Sequence, residues 1–299
     1  VTAADRRRAA WRFECAPAKV NLGLRVTGQR DDGYHLLDSL VLFASIGDVV
    51  ALRPTDAKES RLCVRGPFAS ALSGELADNL VLQAAEAFRS AFGGPTVEIV
   101  LWKHLPVAAG IGGGSADAAA VLRLLQHGLQ TSETALMNLA LSLGADMPMC
   151  LANAPARIGG IGEELAFLDG IPSVHAVLCN PGVSCSTPTV FKARTGGFSA
   201  RAELPDGPLD SVALSIITKM FGNDLTTPAI QCAPKIGDCL HALAQTDGAL
   251  THTMSGSGAT CFALFETELA ARKATKMLAN YHPDWWVRQA RLKGSAKAA

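Results

Sequence analysis

The sequence has no excess charge of either sign: 27 Lys and Arg stand against 27 Asp and Glu, a formal net charge of zero. A broad electrostatic grip on nucleic acid or on an anionic membrane therefore has nothing to draw on, and an anion must be bound locally. A Cys-x-x-Cys pair is also missing. The eight cysteines (15, 63, 150, 179, 185, 232, 239 and 261) are scattered, several in apolar runs such as Met149-Cys150-Leu151. They read as small hydrophobes in a reducing compartment, not as a disulfide frame or a zinc site. No run of about 20 apolar residues is available to span a bilayer. The charged residues that follow Arg6-Arg7-Arg8 interrupt the apolar stretch a signal peptide needs. A cytoplasmic protein with neither nucleic acid nor membrane as partner is expected, a monomer or weak homodimer. Repeats and low-complexity segments are absent too. With 48% hydrophobic and 18% charged residues over 299 positions, the chain has the material for a buried core in one large domain or two ordinary ones.

Ala18, Val20, Leu22, Leu24 and Val26 alternate with Lys19, Asn21, Gly23 and Arg25. That period of two predicts a strand with Lys19 and Asn21 side by side on its polar face. A polar turn to Gly33, then Tyr34-His35 and a second apolar stretch through Leu52, predict a paired strand. Asp78-Asn79 caps a predicted helix stopped at Gly93-Gly94-Pro95, and 96–102 alternates as a strand. Helices are expected at 115–127, closed by Gly128, and at 132–143, closed by Gly144. Further on, a strand at 174–179 leads to Thr187-Pro188, a cap with proline in the first turn. The last third reads as helices at 209–221, 227–245 and 267–280, with strands at 261–265 and 285–288. Strands and helices mixed without a strict βαβ alternation indicate an α+β fold. A composition shift rich in glycine at 155–172 places the division between an N-terminal domain, 13–165, and a C-terminal domain, 166–299.

The strongest local signal is Pro106, Val107, Ala108, Ala109, Gly110, Ile111, Gly112, Gly113, Gly114, Ser115 and Ala116, between a strand and a helix. Glycines let backbone N–H groups turn toward one point, and the helix N-terminus adds a positive dipole, so phosphate is well matched there. The Rossmann pattern fails because Ser115 stands where its third glycine belongs, and no Gly-Lys-Ser/Thr exists for a Walker A loop. The second signal is Asp146, the only formally charged residue between Glu133 and Arg157. Alone it reads as a turn aspartate after Gly144. Lys19, with small uncharged neighbours unlike a solvent-facing stripe, changes that reading. Paired with Asp146, it would keep the carboxylate ionised and set an ammonium near a transferring phosphate.

Ala16-Pro17-Ala18-Lys19-Val20-Asn21, Gly33-Tyr34-His35, the stretch 106–116, Leu143-Gly144-Ala145-Asp146-Met147-Pro148 and Ser255-Gly256-Ser257-Gly258-Ala259 occur in that order. Together they resemble the motifs of the galactokinase, homoserine kinase, mevalonate kinase and phosphomevalonate kinase superfamily, over about 13–265. The resemblance implies an N-terminal half like the second domain of ribosomal protein S5 and a ferredoxin-like C-terminal half. It also implies ATP- and Mg2+-dependent phosphorylation of a tertiary hydroxyl on a small-molecule substrate, a cytidine-diphosphate-linked polyol of non-mevalonate isoprenoid synthesis. On that reading Asp146 and Lys19 are catalytic and 106–116 binds ATP. Asn21, Tyr34, His35, Thr187 and Phe191 bind substrate, the aromatic ones at the cytosine. The metal ligands stay open, since some relatives have a second serine where this chain has Ala116, leaving Ser115 alone. The competing readings are a kinase for another alcohol and a catalytically silent nucleotide- or metabolite-binding relative.

Overall fold

The computed structural model describes residues 10–72, 78–127, 129, 131–205 and 209–295. Two compact units are present, both discontinuous in sequence. Among the described residues, the first is built from those within 10–18, 47–107 and 112–153, the second from those within 19–46, 108–111 and 154–295. The expected division between 165 and 166 is a single boundary along the sequence, whereas the chain passes between these compact units several times. The reason lies in two strands, β1 (Arg12–Gln29) of 18 residues and β2 (His35–Pro54) of 20, each serving both units. Strands of 3–10 residues usually suffice for one core.

In the first unit, the 49–54 part of β2 pairs antiparallel with β4 (Val97–Trp102), and β3 (Arg61–Arg65) lies parallel to β4. Asn79 caps α1 (Leu80–Phe92) by accepting from the Val81 N–H at 3.0 Å. Its buried stripe of Val81, Ala84, Ala85 and Phe88 packs on α2 (Gly113–Gln126). Alanines at 116 and 118–120 leave α2 narrow enough to be buried on most of its circumference. Ser132 caps α3 (Glu133–Leu143), and α4 (Met147–Ala152) packs against both α2 and α3. Gly128, the expected stop of α2, lies outside the described residues.

In the second unit, β5 (Ala156–Gly159) pairs with the 39–41 part of β2 and with β6 (Glu164–Phe167). β7 (Val174–Asn180) lies antiparallel between β9 (Cys261–Phe265) and β10 (Trp286–Lys293), and β8 (Ala249–Met254) borders β9. The helices are α5 (Thr187–Ala193), α6 (Ser211–Phe221), α7 (Thr226–Cys232), α8 (Lys235–Ala244) and α9 (Glu268–Tyr281). Val177, Cys179, Ile236, Cys261, Phe265 and Leu278 are central to the core. All eight cysteines are free, five of them buried. The Cys239 thiol and burial push the Cys179 thiol far up, and Cys239, drawn down by Cys179, is pushed up on balance by Cys261 and burial, so both are inert packing groups.

Three expectations change. The helix read at 227–245 is two, because Pro234 has no N–H to continue α7. The N-cap of α5 is Ser186 and not Thr187. Lys19 and Asn21 are buried, 5% and 4% exposed, because β1 is covered on both faces over 16–24.

Candidate active site

The glycine-rich stretch takes its shape from left-handed backbone at every second residue: Ala108, Gly110 and Gly112 have φ of 50°, 71° and 63°. Such turns bring N–H groups to face one point, and an alanine in that region marks a conformation the surroundings hold in place. Gly112 is the N-cap of α2 and offers no side chain to its first turn. The opening amides of a 14-residue helix are thus left for another acceptor, with the helix dipole behind them. A Cβ on Gly114 would meet nothing within 4 Å. The residues present fit an anionic phosphate, where a longer side chain would intrude.

Next to this stretch, β1 brings up two of the expected site residues. The Lys19 N–H donates to the Ile111 carbonyl at 2.9 Å. The Asn21 N–H donates to Ser255 Oγ at 3.0 Å, and Ser255 Oγ in turn donates to the Gly110 carbonyl at 3.0 Å. Asn21 Nδ2 donates to Ser39 Oγ at 2.8 Å, and Ser39 Oγ donates to the Gly23 carbonyl at 2.6 Å. The turn at Ser255–Gly258 acts as a hub. Asn223 Nδ2 donates to the carbonyls of Met254 and Gly256 at 2.8 and 2.9 Å, and Thr187 Oγ1 lies 2.8 Å from Ser257 Oγ. A Cβ on Gly110 would stand 2.6 Å from the carbonyls of Ser255 and Gly258, so only glycine permits this approach.

Of the three expected base-binding residues, two meet. The rings of His35 and Phe191 are stacked, 4.9 Å between centroids and 26° between planes. Burial and the Arg194 charge both lower the pKa of His35, which favours a neutral ring with one donor and one acceptor nitrogen. Tyr34 stands on the turn before β2 and is 61% exposed. Three residues further along β2, Asp38 binds Arg157 through both oxygens, at 2.6 and 2.8 Å, and accepts from the Ala202 N–H at 2.8 Å. A polar cavity of about 460 Å³ opens past the end of α5, with Arg194, Ser199, Asn223, Asp224 and Thr227 among its lining.

Asp146 is half-buried at the N-cap position of α4, and its side chain is not spent on capping that helix. Sequence reasoning passed over Asp48, Lys103 and Asp117, which are buried together in the first unit. The available signal was Asp117 itself, a carboxylate inside Ala116-Asp117-Ala118-Ala119-Ala120.

Residues 79–154 match the model of the GHMP kinases N terminal domain, and 213–284 that of the GHMP kinases C terminal. 4-Diphosphocytidyl-2-C-methyl-D-erythritol kinase of Paramagnetospirillum magneticum is 49% identical over 280 residues, 93% of this chain and 97% of the relative. The enzyme of that name from Paracoccus denitrificans is 49% identical over 92% of this chain and 95% of its own. The chain belongs to the 4-diphosphocytidyl-2-C-methyl-D-erythritol kinase family. A crystal structure of 4-(cytidine 5'-diphospho)-2C-methyl-D-erythritol kinase matches with a TM-score of 0.76 at 34% identity, over 95% of this chain and 100% of that one. Homoserine kinase of Cytophaga hutchinsonii, with a TM-score of 0.69 at 18% identity, shares the fold alone. The α+β kinase fold implied by the sequence motifs is thus that of this family, an ATP-dependent small-molecule kinase.

Proposed function

We propose that the chain transfers the γ-phosphate of ATP to the 2-hydroxyl of 4-diphosphocytidyl-2-C-methyl-D-erythritol, in a reducing, cytoplasmic setting. The observation that carries the reading is the near-full-length identity with relatives of that name. The geometry supplies matching parts. The first-turn amides of α2 receive phosphate oxygens, with Ser115 as the hydroxyl beside them. Among the described residues, no three His, Cys, Asp or Glu side chains gather to hold a metal ion. ATP phosphate oxygens and the Ser115 hydroxyl would hold magnesium, which usually binds through substrate phosphates. When bound, it neutralises charge on the transferring group.

In this reading Asp146 orients the substrate hydroxyl and accepts its proton late, as the oxygen–phosphorus bond forms. Lys19 supplies positive charge to the transferring phosphoryl group. His35 and Phe191 present an aromatic face and a neutral ring edge to a pyrimidine, and Tyr34 closes over it from the exposed turn. Asn21 and Thr187 contact the polyol and diphosphate. The test is phosphorus NMR of the product. A new phosphomonoester on the tertiary carbon, with the diphosphate bridge intact, is expected. A product phosphorylated at another hydroxyl would refute the assignment.

A further inference from the structure

A three-membered ionic node is buried in the first unit beside the opening of α2, formed by residues to which no part in binding or transfer has been assigned. Lys103, the residue after β4, is 2% exposed, Asp48 in β2 0%, and Asp117 in α2 2%. Lys103 Nζ donates to Asp48 Oδ2 at 2.5 Å and to Asp117 Oδ2 at 2.7 Å. Asp48 Oδ1 accepts from the N–H groups of His104 at 2.5 Å and Leu105 at 2.8 Å. Asp117 Oδ1 is buried without a hydrogen-bond partner among the described residues.

The positions of these groups along the chain are what matter. Residues 103–105 come directly before the glycine-rich stretch and Asp117 directly after it. The chain thus leaves one buried ammonium at 103 and returns to it at 117. Gly113, the first residue of α2, packs on the same ammonium, where a Cβ would lie 3.0 Å from Lys103 Nζ. Between the two anchors the carbonyls of Ala109, Gly110 and Ile111 are held by Thr260, Ser255 and Lys19, which leaves the helix-opening end at Gly112–Gly114 to be placed by the node.

Two carboxylates sharing one ammonium, one oxygen unpaired, is a poor device for stability. Burying ions costs more than an equivalent apolar cluster, and breaking a pair is worse than never making one. Burial and the Asp48 charge raise the Asp117 carboxyl against the opposing pull of Lys103. An arrangement that stability alone does not favour, at the base of the phosphate-binding turn, points to a positioning role.

We propose that Lys103, Asp48 and Asp117 form a clasp that fixes the end of β4 against the first turn of α2 and so holds the opening amides of α2 in register for the phosphates of ATP. This rests on the kinase reading above. The three are positioning residues, acting through the backbone they hold. Asp117→Ala cuts the link but leaves Lys103 and Asp48 as a matched pair, and Asp117→Leu does the same while filling the volume. Asp117→Asn keeps an oxygen for Lys103 to donate to.

The test is calorimetric titration of the full chain with a non-hydrolysable ATP analogue and MgCl2, with melting curves and KM for ATP and the alcohol alongside. Asp117→Ala and Asp117→Leu should bind the analogue about 10–100-fold more weakly, the scale of misplacing a site by about an ångström. KM for the alcohol should stay, and Asp117→Asn should restore most of the ATP affinity. If Asp117→Ala fails to fold, Asp117→Leu carries the measurement. Wild-type affinity in the Ala and Leu variants overturns the clasp alone, as does an equal loss in Asp117→Asn. Failure of the unaltered chain to bind the analogue overturns the kinase reading as well.

Discussion

Asp146→Asn preserves size and hydrogen bonding but removes the acceptor for the substrate's proton. It should lower kcat by about 10²–10⁴-fold, the usual worth of a positioned acid or base, with ATP affinity little changed. Near-normal kcat would return Asp146 to a turn residue. Lys19→Met should also lose kcat, and the double variant should be little worse than the poorer single one if the two act as a unit. Asp38 lends itself to a pH test. Burial alone would raise its carboxyl, but Arg157, the Ala202 N–H and Arg201 outweigh that and hold it below the ordinary value of 3.8. A folded-state value below the unfolded one stabilises above pH 3.8, and the gain is lost as pH falls through the folded value. Asp38→Asn should cost about 3 kcal/mol at neutral pH, the lower end for breaking a buried pair. Melting curves should show the gap closing toward acid, and a gap independent of pH would contradict the ion-pair account. Lys19 and Asp146 stand out in the sequence because each is a charge in an unsuitable neighbourhood. Asp48 and Lys103 were not, since each looks ordinary until three separate elements bring it to Asp117.

At the scale of elements, the glycines of 110–114 look alike in sequence and differ in the structure. Gly110→Ala places a methyl against the 255–258 backbone at φ of 71°. It should destabilise by about 1–3 kcal/mol for the backbone strain alone, seen as a lower melting temperature. Gly114→Ala meets open space, and helix propensity favours alanine by about 1 kcal/mol, so the fold should hold. Its KM for ATP should rise nonetheless, because the methyl enters the space assigned to phosphate. An unchanged KM would move the nucleotide elsewhere. Gly113 is a poor probe of the phosphate site, because its Cβ would meet Lys103 Nζ at 3.0 Å and a side chain there disturbs the buried node first. Phe191→Ala should raise KM for the cytidine substrate by a factor equivalent to about 1–3 kcal/mol, with KM for ATP unmoved. The cap at Asn79 and the stop at Gly144 were readable because capping is local. β5 and β6, four residues each in a glycine-rich stretch, carry too short an alternation to show, and β1 hides its two-sided burial behind a one-sided pattern.

For the molecule as a whole, composition defined the class but not the division. The α+β character follows from the mixture of periods. No local pattern reports that β1 and β2 each pass from one unit to the other, because that is set by pairing partners up to some 250 residues away, as between Ala44 and Leu292. Among the described residues no helix is long and apolar enough to cross a membrane. The central claim, phosphoryl transfer from ATP to a cytidine-diphosphate-linked polyol, is tested most directly by ADP release from the purified chain. The assay would offer 4-diphosphocytidyl-2-C-methyl-D-erythritol, mevalonate and homoserine in parallel, each with ATP and magnesium. ADP release with the cytidine compound alone is the predicted result; turnover of mevalonate or homoserine without it would contradict the account.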